Sequence, residues 1–347
     1  MVRHTCSVPF LTRTGGRCYN KMRNVCYSIK RSETMTYNAN FYPACTVPAA
    51  EVNRVKGLGF LRDKTTPDRF NARVITRNGK ITADEMYAIA DAARRFGSGE
   101  IAFTTRQTAE VQGISFENIQ PFCQFLAMHG LLVGGTGPRV RPVVSCKGTT
   151  CVFGLIDTFS LSLKIHELHY IGYHQVKLPH KFKIAVGGCP NNCVKPDLND
   201  VGVIGAWQPV LVADACKGCG ACVKACPIGA AALKSGQFTN TSDCNLCGRC
   251  VRACHVGGLD YIPGYRLTLG GRWGKQVARG QALRHLFTSE EEVLAAVEKA
   301  ILLFRDKGVA GERFADTVAR IGLDEAERLI LSDELPQRKA EILEKVL

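Results

Sequence analysis

Apolar and polar residues alternate between positions 70 and 130 in a way that predicts two strand-then-helix units. A period of two indicates a half-buried strand, and a period near 3.6 indicates a helix with one apolar face. The predicted elements are a strand at Phe70–Thr76, a helix opened by the capping box of Thr82 and Glu85 and ended by Gly97, a strand at Glu100–Thr105 and a helix at Ile119–His129. This order favours an α+β fold with helices on one face of a sheet.

The same patterns predict further elements on both sides of a cysteine-rich stretch. They are strands at Arg139–Ser145 and Lys181–Val186, a helix near Thr158–His169, a helix capped by Thr288 and Glu291 and ended by Gly308, and a charged helical tail at Leu323–Leu347. Between Cys189 and Cys254 lie ten of the seventeen cysteines of the chain. The chemistry of their spacing therefore matters more there than hydrophobic periodicity.

Length and charge narrow the class of protein. A chain of 347 residues is long enough for two or three domains, and no apolar run is long enough to cross a bilayer. The start lacks the pattern of a secretory signal, and cysteines in metal-ligand spacings indicate reduced thiolates, so we expect a cytoplasmic protein. The net charge of +14 suits anionic cofactors and substrates. The sequence contains no stripe of basic residues interleaved with aromatic residues, which is the pattern that would indicate nucleic-acid binding.

The first 34 residues differ from the rest of the chain. They contain seven Lys or Arg, one acidic residue and cysteines that match no ligand spacing. A basic, acid-poor start is also typical of organelle transit peptides. We expect instead that residues 1–34 are a non-native or disordered extension and that the native chain starts at Met35.

Eight cysteines form two groups with the spacing Cys-x2-Cys-x2-Cys-x3-Cys. In this spacing three thiolates of a group bind one [4Fe-4S] cluster and the fourth binds the neighbouring cluster. The rule predicts one cluster on Cys216, Cys219, Cys222 and Cys254 and a second on Cys244, Cys247, Cys250 and Cys226. Zinc is the alternative metal for Cys-x2-Cys pairs, but zinc sites rarely need eight thiolates in this doubled spacing. The stretch resembles the two-cluster bacterial ferredoxins.

Two more cysteine pairs precede these groups, Cys146-x4-Cys151 and Cys189-x3-Cys193. Each pair follows a predicted strand, so its side chains can converge from separate loops. The four thiolates suit a third [4Fe-4S] cluster, a zinc site or isolated redox cysteines, and spacing alone leaves these alternatives open.

Segments around these pairs resemble the siroheme-dependent nitrite and sulfite reductases. They are Ala102–Ile114 with its TTRQ sequence, Arg141–Cys146, Leu178–Lys183 and the GGCPNNC sequence of Gly187–Cys193. The resemblance runs from about Phe70 to about Gly322 and is closest to the catalytic chain of the anaerobic, dissimilatory-type sulfite reductases. It implies an α+β fold made of a sulfite-reductase-like half repeat and a siroheme and [4Fe-4S] domain, with an inserted bacterial-type ferredoxin module.

The resemblance also implies roles for individual residues. Cys146, Cys151, Cys189 and Cys193 would hold a third [4Fe-4S] cluster, and the Cys193 thiolate would bridge it to the siroheme iron. Arg73, Arg141, Lys181 and Lys183 match the cage of cations that binds the substrate. Thr105, Arg106, Gln107, Lys195, Arg272 and Lys275 would hold siroheme, whose carboxylates suit Arg and Lys. Many relatives have Cys-x5-Cys in the first pair, so we expect a tighter loop between Cys146 and Cys151.

These patterns and the resemblance together predict five segments. They are the extension 1–34, an N-terminal ferredoxin-like half domain at 35–132, the first part of the siroheme and [4Fe-4S] domain at 133–213, the inserted two-cluster ferredoxin at 214–263, and the second part of the siroheme domain with C-terminal helices at 264–347.

The predicted activity is the six-electron reduction of sulfite to sulfide, with siroheme and three [4Fe-4S] clusters as cofactors. Reduction of nitrite to ammonia at the same kind of site is one alternative, and an electron-transfer iron–sulfur protein lacking siroheme is another. We expect an electron-donating subunit or a ferredoxin as partner. We also expect a homo- or hetero-oligomer, because full-length members of the family carry two related halves and this chain carries one.

Overall fold

The computed structural model describes residues 45–346, which lie in one compact unit. The predicted extension at residues 1–34 lies outside the described residues. Within residues 45–346, no helix is long and apolar enough to span a membrane.

The N-terminal part is an antiparallel sheet covered by helices. Its elements are α1 (Ala49–Gly57), β1 (Phe60–Arg62), β2 (Arg69–Ile75), α2 (Ala83–Phe96), β3 (Ile101–Phe103), β4 (Ala109–Ser115), a 3-10 turn (Phe116–Asn118), α3 (Ile119–Met128) and β5 (Leu132–Val133). The strand order is β1-β2-β4-β3, and β5 also pairs with β2. Alternate residues of β2, Phe70, Ala72 and Val74, share one buried cluster with Ile89 of α2 and Phe122 of α3.

The predicted helix start at Thr82 is confirmed. The Thr82 hydroxyl accepts a hydrogen bond from the Glu85 N–H at 3.2 Å, and the Glu85 carboxylate accepts one from the Thr82 N–H at 2.7 Å. Strand β4 was not predicted. A register shift opposite Phe70–Ala72 and the positive φ of 74° at Gly113 interrupt its alternation of apolar and polar residues.

The larger part is a second sheet of five strands with helices packed on it. Its elements are β6 (Val144–Ser145), a 3-10 turn (Gly148–Thr150), α4 (Thr158–Ile165) continued by a π-helical turn (His166–Ile171), β7 (Ile184–Gly187), a 3-10 turn (Pro196–Leu198), β8 (Val201–Leu211), then β11 (Leu259–Leu269) and β12 (Gln281–Phe287). The strand order is β12-β11-β8-β7-β6. Strands β6, β7 and β8 run parallel, whereas β8, β11 and β12 are antiparallel.

Helices of the C-terminal region complete the core of this part. They are α7 (Glu290–Lys307), α8 (Phe314–Ile321), α9 (Leu323–Leu331), α10 (Glu334–Gln337) and α11 (Lys339–Glu344). Phe304 of α7 and Phe314 of α8 are fully buried with Phe182, with ring centroids 5.1–5.8 Å apart. The predicted start of α7 is wrong by one residue, because Ser289, not Thr288, caps the helix by accepting from the Glu292 N–H.

Two predicted strands are shorter than expected. The segments around Arg141 and Phe182 touch through backbone hydrogen bonds and one isolated bridge, and only Val144–Ser145 and Ile184–Gly187 form regular strands. Pro142 has no N–H to donate. The N–H of Lys183 donates to the carboxylate of Asp200 at 2.8 Å instead of to a neighbouring strand. The predicted helix near Thr158–His169 is present as α4 and its π-helical continuation.

The cysteine-rich module occupies the end of a long hairpin. Strands β8 and β11 are paired along their whole length, from Val201 opposite Leu269 to Leu211 opposite Leu259. Residues 212–258 therefore leave the sheet and return to it at the same end of this hairpin. This module contains α5 (Ala221–Ala225), β9 (Ala231–Lys234), β10 (Gln237–Asn240) and α6 (Arg249–Arg252), and it has a small apolar cluster of its own. The predicted domain boundaries stay a prediction.

Candidate active site and cluster sites

Two cysteine pairs meet at one edge of the larger sheet. Cys146 follows β6 and Cys189 follows Gly188 at the end of β7, and these strands are parallel neighbours. The carboxyl ends of parallel strands lie at the same edge, where open α/β sheets commonly bind ligands. Gly148 and Gly188 allow the two loops to touch, because a Cβ on Gly148 would lie 2.8 Å from the Gly188 Cα. The Gly188 N–H is also 3.1 Å from the Cys146 sulfur.

The thiols of Cys146, Cys151, Cys189 and Cys193 are close enough to influence one another. Burial raises the pKa of Cys189, and the neighbouring thiols of Cys146, Cys193 and Cys151 raise it further. Thiolates gathered in this way repel each other unless a cation lies between them. Four sulfurs gathered in this way can together ligate one iron–sulfur cluster.

A cavity of about 330 Å³ opens beside these thiols. Its lining includes Thr105, Arg106, Gln107, Lys183, Cys193 and Lys195, together with Val144, Val194, Leu198, Asn199 and Trp273. Six residues predicted for substrate or siroheme thus share one cavity. The exposed sulfur of Cys193 belongs both to this lining and to the four-thiol group. Lys195, in a left-handed backbone conformation with φ of 50°, lies 5.8 Å from the ring centroid of Trp273.

Arg106 and Gln107 attach the turn between β3 and β4 to the larger sheet. The guanidinium of Arg106 donates to the Asn199 side chain at 2.6 Å, to the Ile184 carbonyl at 3.0 Å and to the Pro142 carbonyl. The Gln107 amide exchanges two hydrogen bonds with the backbone of Ser145, at 2.8 and 3.0 Å. Both side chains line the cavity, but these donors already bond to protein oxygens. The two side chains therefore hold the cavity wall in place.

Cations crowd the floor of this cavity around Lys183. Burial, Arg106 and Arg313 lower the pKa of Lys183 to about 8. Burial, Arg313 and Arg141 also lower the pKa of Lys181. The two lysines flank the fully buried Phe182, and of the two Lys183 lines the cavity. Unpaired positive charge in a part-buried site is the electrostatic setting that attracts a small anion.

The other predicted basic residues take different positions. Arg73 is paired with Glu110 at 3.1 Å, and Arg141 donates to the Gly135 carbonyl at 2.5 Å while burial and Arg73 lower its pKa to about 10. Arg272 is paired with Asp316 at 3.0 Å. Its positive charge also contributes to the lowered pKa of Lys181. Lys275 is exposed and lies outside the cavity lining. Arg73, Arg141, Lys181 and Arg272 therefore lie outside the cavity lining.

A buried ion pair, which was not predicted from the sequence, lies beside these cations. The side chain of Asp200 is 0% exposed and that of Arg313 is 7% exposed, and one nitrogen of Arg313 lies 3.1 Å from both carboxylate oxygens. Burial raises the pKa of Asp200, and the ion pair with Arg313 opposes that rise. A signal was available, because Asp200 immediately precedes the continuous apolar run of β8 and had to enter the core with it.

In the cysteine-rich module the structure brings the eight thiols together as two sets of four. One cavity is lined by Cys216, Cys219, Cys222 and Cys254, and a second by Cys226, Cys244, Cys247 and Cys250. Each set takes three members from one group and the last member from the other, as the spacing rule predicts. Burial and the neighbouring thiols Cys244 and Cys247 raise the pKa of Cys250 to about 11, whereas for Cys226 the effect of burial is outweighed by backbone N–H groups, which lower its pKa.

The number and spacing of the thiols bear on the zinc alternative. Among residues 45–346, no three His, Cys, Asp or Glu side chains are placed to hold one metal ion. Eight thiols in two sets with the doubled spacing suit two four-iron clusters better than zinc, which rarely needs eight thiolates in this spacing.

The module contacts the first cysteine pair through Arg252. Its guanidinium donates to the Val152 carbonyl at 2.9 Å and lies 4.9 Å from the ring centroid of Trp207. The backbone N–H of Trp207 donates to the Leu246 carbonyl at 2.8 Å, and the indole ring of Trp207 stacks on the ring of Tyr261, with centroids 3.9 Å apart. The loop after Cys151 is thus bonded to the helix that carries Cys250.

Comparison with known proteins gives two family matches along the chain. Residues 136–339 match the nitrite and sulphite reductase 4Fe-4S domain. Residues 62–129 match the nitrite/sulfite reductase ferredoxin-like half domain. Together the two matches include the cavity, the cysteine pairs and the module.

Similar proteins are named as sulfite reductases. The coenzyme F420-dependent sulfite reductase of Methanocaldococcus jannaschii is 32% identical over 78% of this chain and 42% of its own length. One subunit of the anaerobic sulfite reductase of Salmonella typhimurium is 33% identical over 46% of this chain and 51% of its own length. The chain thus spans about half the length of these relatives. The crystal structure of dissimilatory sulfite reductase I shares its fold, with a TM-score of 0.61, 21% identity, and coverage of 78% of this chain and 70% of that one.

Proposed function

Because the chain belongs to the nitrite and sulfite reductase family, we propose that it is a siroheme- and iron–sulfur-dependent enzyme that reduces sulfite to sulfide with six electrons. The observation that carries this proposal is the position of Cys193. Its sulfur is one of four neighbouring thiols and also lines the cation-rich cavity of about 330 Å³. One thiolate can therefore connect an electron-carrying cluster to a cofactor in the cavity.

The residues present fit the implied cofactors. Cys146, Cys151, Cys189 and Cys193 would hold one [4Fe-4S] cluster, and the two cavities of the module would hold two more, as in a two-cluster ferredoxin. Lys195 and Arg106 place positive charge in the cavity wall, which suits the carboxylates of siroheme. The exposed ring of Trp273 offers an apolar surface to a macrocycle. When bound, siroheme would supply the iron that takes up the substrate and passes electrons to it.

The chain's own contribution is charge, orientation and protons. Lys183 lines the cavity and Lys181 adds positive charge close to it, so a sulfite dianion is attracted and held with its oxygens toward the Lys183 ammonium group. As oxygen leaves as water, negative charge grows on it and each lysine stabilises that charge more strongly. Because the pKa of Lys183 is lowered to about 8, its ammonium also gives up a proton more readily than an ordinary lysine.

The contacts of Arg252 indicate the order of electron transfer. The set Cys226, Cys244, Cys247 and Cys250 adjoins the loop after Cys151, whereas the other set includes the exposed Cys219. We assign the exposed set as the entry point for electrons and the set beside Trp207 as the relay. The donor would be a partner subunit or a ferredoxin, and the reduced thiols suit a cytoplasmic setting.

Turnover of two substrates tests the reaction. The enzyme is purified without oxygen, reduced with viologen and given sulfite or nitrite in parallel steady-state assays. We expect a higher kcat/KM for sulfite and sulfide as the product. A higher kcat/KM for nitrite, with ammonia formed, would contradict the choice of substrate. Absence of turnover with both, in protein that contains its clusters but no siroheme, would identify an electron-transfer protein instead.

A further inference from the structure

The buried pair of Asp200 and Arg313 is joined to the cavity by a third bond. The Asp200 carboxylate accepts from Arg313 at 3.1 Å and also from the backbone N–H of Lys183 at 2.8 Å. The backbone carbonyl of Asp200 accepts from the Gly270 N–H at 3.0 Å. Asp200 therefore ties the segment that carries Lys183 to the start of β8 and to the approach to α8.

The charges around Lys183 come from several elements. Those that act on Lys183 itself are Arg106 on the turn between β3 and β4, Lys181 on its own segment, Arg313 ahead of α8, and the carboxylate of Asp200. Arg141 ahead of β6 and Arg272 beyond β11 act on the neighbouring Lys181 and His180. Repulsion by the cations favours loss of the Lys183 proton, and the negative charge of Asp200 favours its retention.

A pair that served packing alone would be satisfied by the bonds between Asp200 and Arg313. The additional bond to Lys183 places the carboxylate directly under the residue that faces the cavity. We propose that Asp200, held in place by Arg313, is a positioning residue that fixes the backbone of Lys183 and keeps its side chain cationic where a small anion binds. Only the identity of that anion rests on the proposed function.

The variant Asp200→Asn tests this inference because it keeps the shape of the side chain and removes the charge. Trace labelling with acetic anhydride, followed by peptide mass spectrometry, reports the fraction of neutral Lys183 at each pH between about 6 and 11. The midpoint in the parent protein should lie at about 8. In Asp200→Asn we expect it about one pH unit lower, because an anion that stabilised the ammonium is gone.

Structural damage would move the midpoint in the opposite direction. If Asp200→Asn merely loosened the fold, Lys183 would become solvated and its midpoint would rise toward the ordinary lysine value of 10.5. An unchanged or raised midpoint therefore overturns the proposal. The matched control is Asp306→Asn, because Asp306 lies on α7 with its side chain 1% exposed and is also ion-paired, here with Arg338. That change should leave the Lys183 midpoint where it is.

Arg313→Gln provides a second test of sign. It removes a cation, so the Lys183 midpoint should rise, opposite to the effect of Asp200→Asn. If Asp200→Asn does not fold because Arg313 is left unpaired, the double variant Asp200→Asn, Arg313→Gln removes both charges. Its Lys183 midpoint should lie below that of Arg313→Gln, because the anion is absent from the double variant only. A double variant equal to Arg313→Gln overturns the proposal. The labelling requires no turnover, so failure here is distinguishable from failure of the proposed activity.

Discussion

Lys183 is the residue in which positive charge, partial burial and access to the cavity coincide. The Lys183→Met variant keeps most of the stem and removes the charge and the proton. Under the proposed function the Lys183 charge would stabilise the transition state more than bound sulfite, so we expect kcat to fall by about 10²-fold or more. The measurement is steady-state sulfite turnover at matched siroheme content.

The control for this change is Lys164→Met. Lys164, in contrast, is ion-paired with Glu290 and lies on the surface of α4. Removing it should leave sulfite turnover unchanged and cost little stability. Full turnover in Lys183→Met would show that Lys183 is not part of the substrate site.

The lowered pKa of Lys183 gives a pH dependence of defined sign. A lysine loses its charge as pH rises, so kcat should fall as pH increases through about 8. In Lys183→Arg the guanidinium stays protonated, and this alkaline limb should move to higher pH even if the rate at neutral pH is lower. A limb at the same pH in both proteins would mean that another group titrates.

At the scale of elements, local signals were predictable and long-range ones were not. The capping box at Thr82 and the sorting of eight thiols into two sets follow from spacing within a few residues. The short strand ahead of Cys189 was misjudged because the N–H of Lys183 goes to Asp200, seventeen residues away. The contact of Arg252 with Val152 joins positions one hundred residues apart, and the sequence near either residue contains no pattern that predicts it.

The contact between α6 and the loop after Cys151 should set the rate of internal electron transfer. Arg252→Met removes the bonds to Val152 and Gly154, so the relay cluster is held less closely against the inner one. We expect slower turnover with a protein donor and a smaller loss with reduced viologen, which can reach the inner cluster directly. Comparing the two donors in one preparation measures the difference.

The matched control is Lys224→Met, in the same module but on the exposed side of α5. It should leave internal transfer unchanged, so its turnover with viologen and with the protein donor should keep the parent ratio. Equal losses with both donors in Arg252→Met would show that the contact supports folding and not electron transfer.

At the scale of the whole molecule, the family resemblance contributed what periodicity could not. The α+β class followed from strand and helix patterns, whereas the roles of Thr105, Lys195 and Lys183 came from short segments resembling the family. The structure places all three in one cavity with Cys193. Arg73 and Lys275 lie outside that lining, because neighbouring motif positions need not point the same way.

The single match to the half domain leads to a prediction about assembly. Residues 62–129 match it. We expect the chain to pair with a second copy or a sister subunit when active. Analytical ultracentrifugation of active enzyme at nanomolar concentration checks this, and a fully active monomer would disprove it.

The absorption spectrum of anaerobically purified protein tests the central claim most directly. The claim is that the cavity beside Cys193 holds siroheme coupled to a cluster. We predict siroheme bands superimposed on broad iron–sulfur absorption, with the siroheme bands shifting when sulfite is added to the reduced enzyme. Iron–sulfur absorption alone, with no siroheme extractable from protein that retains its clusters, would contradict the account.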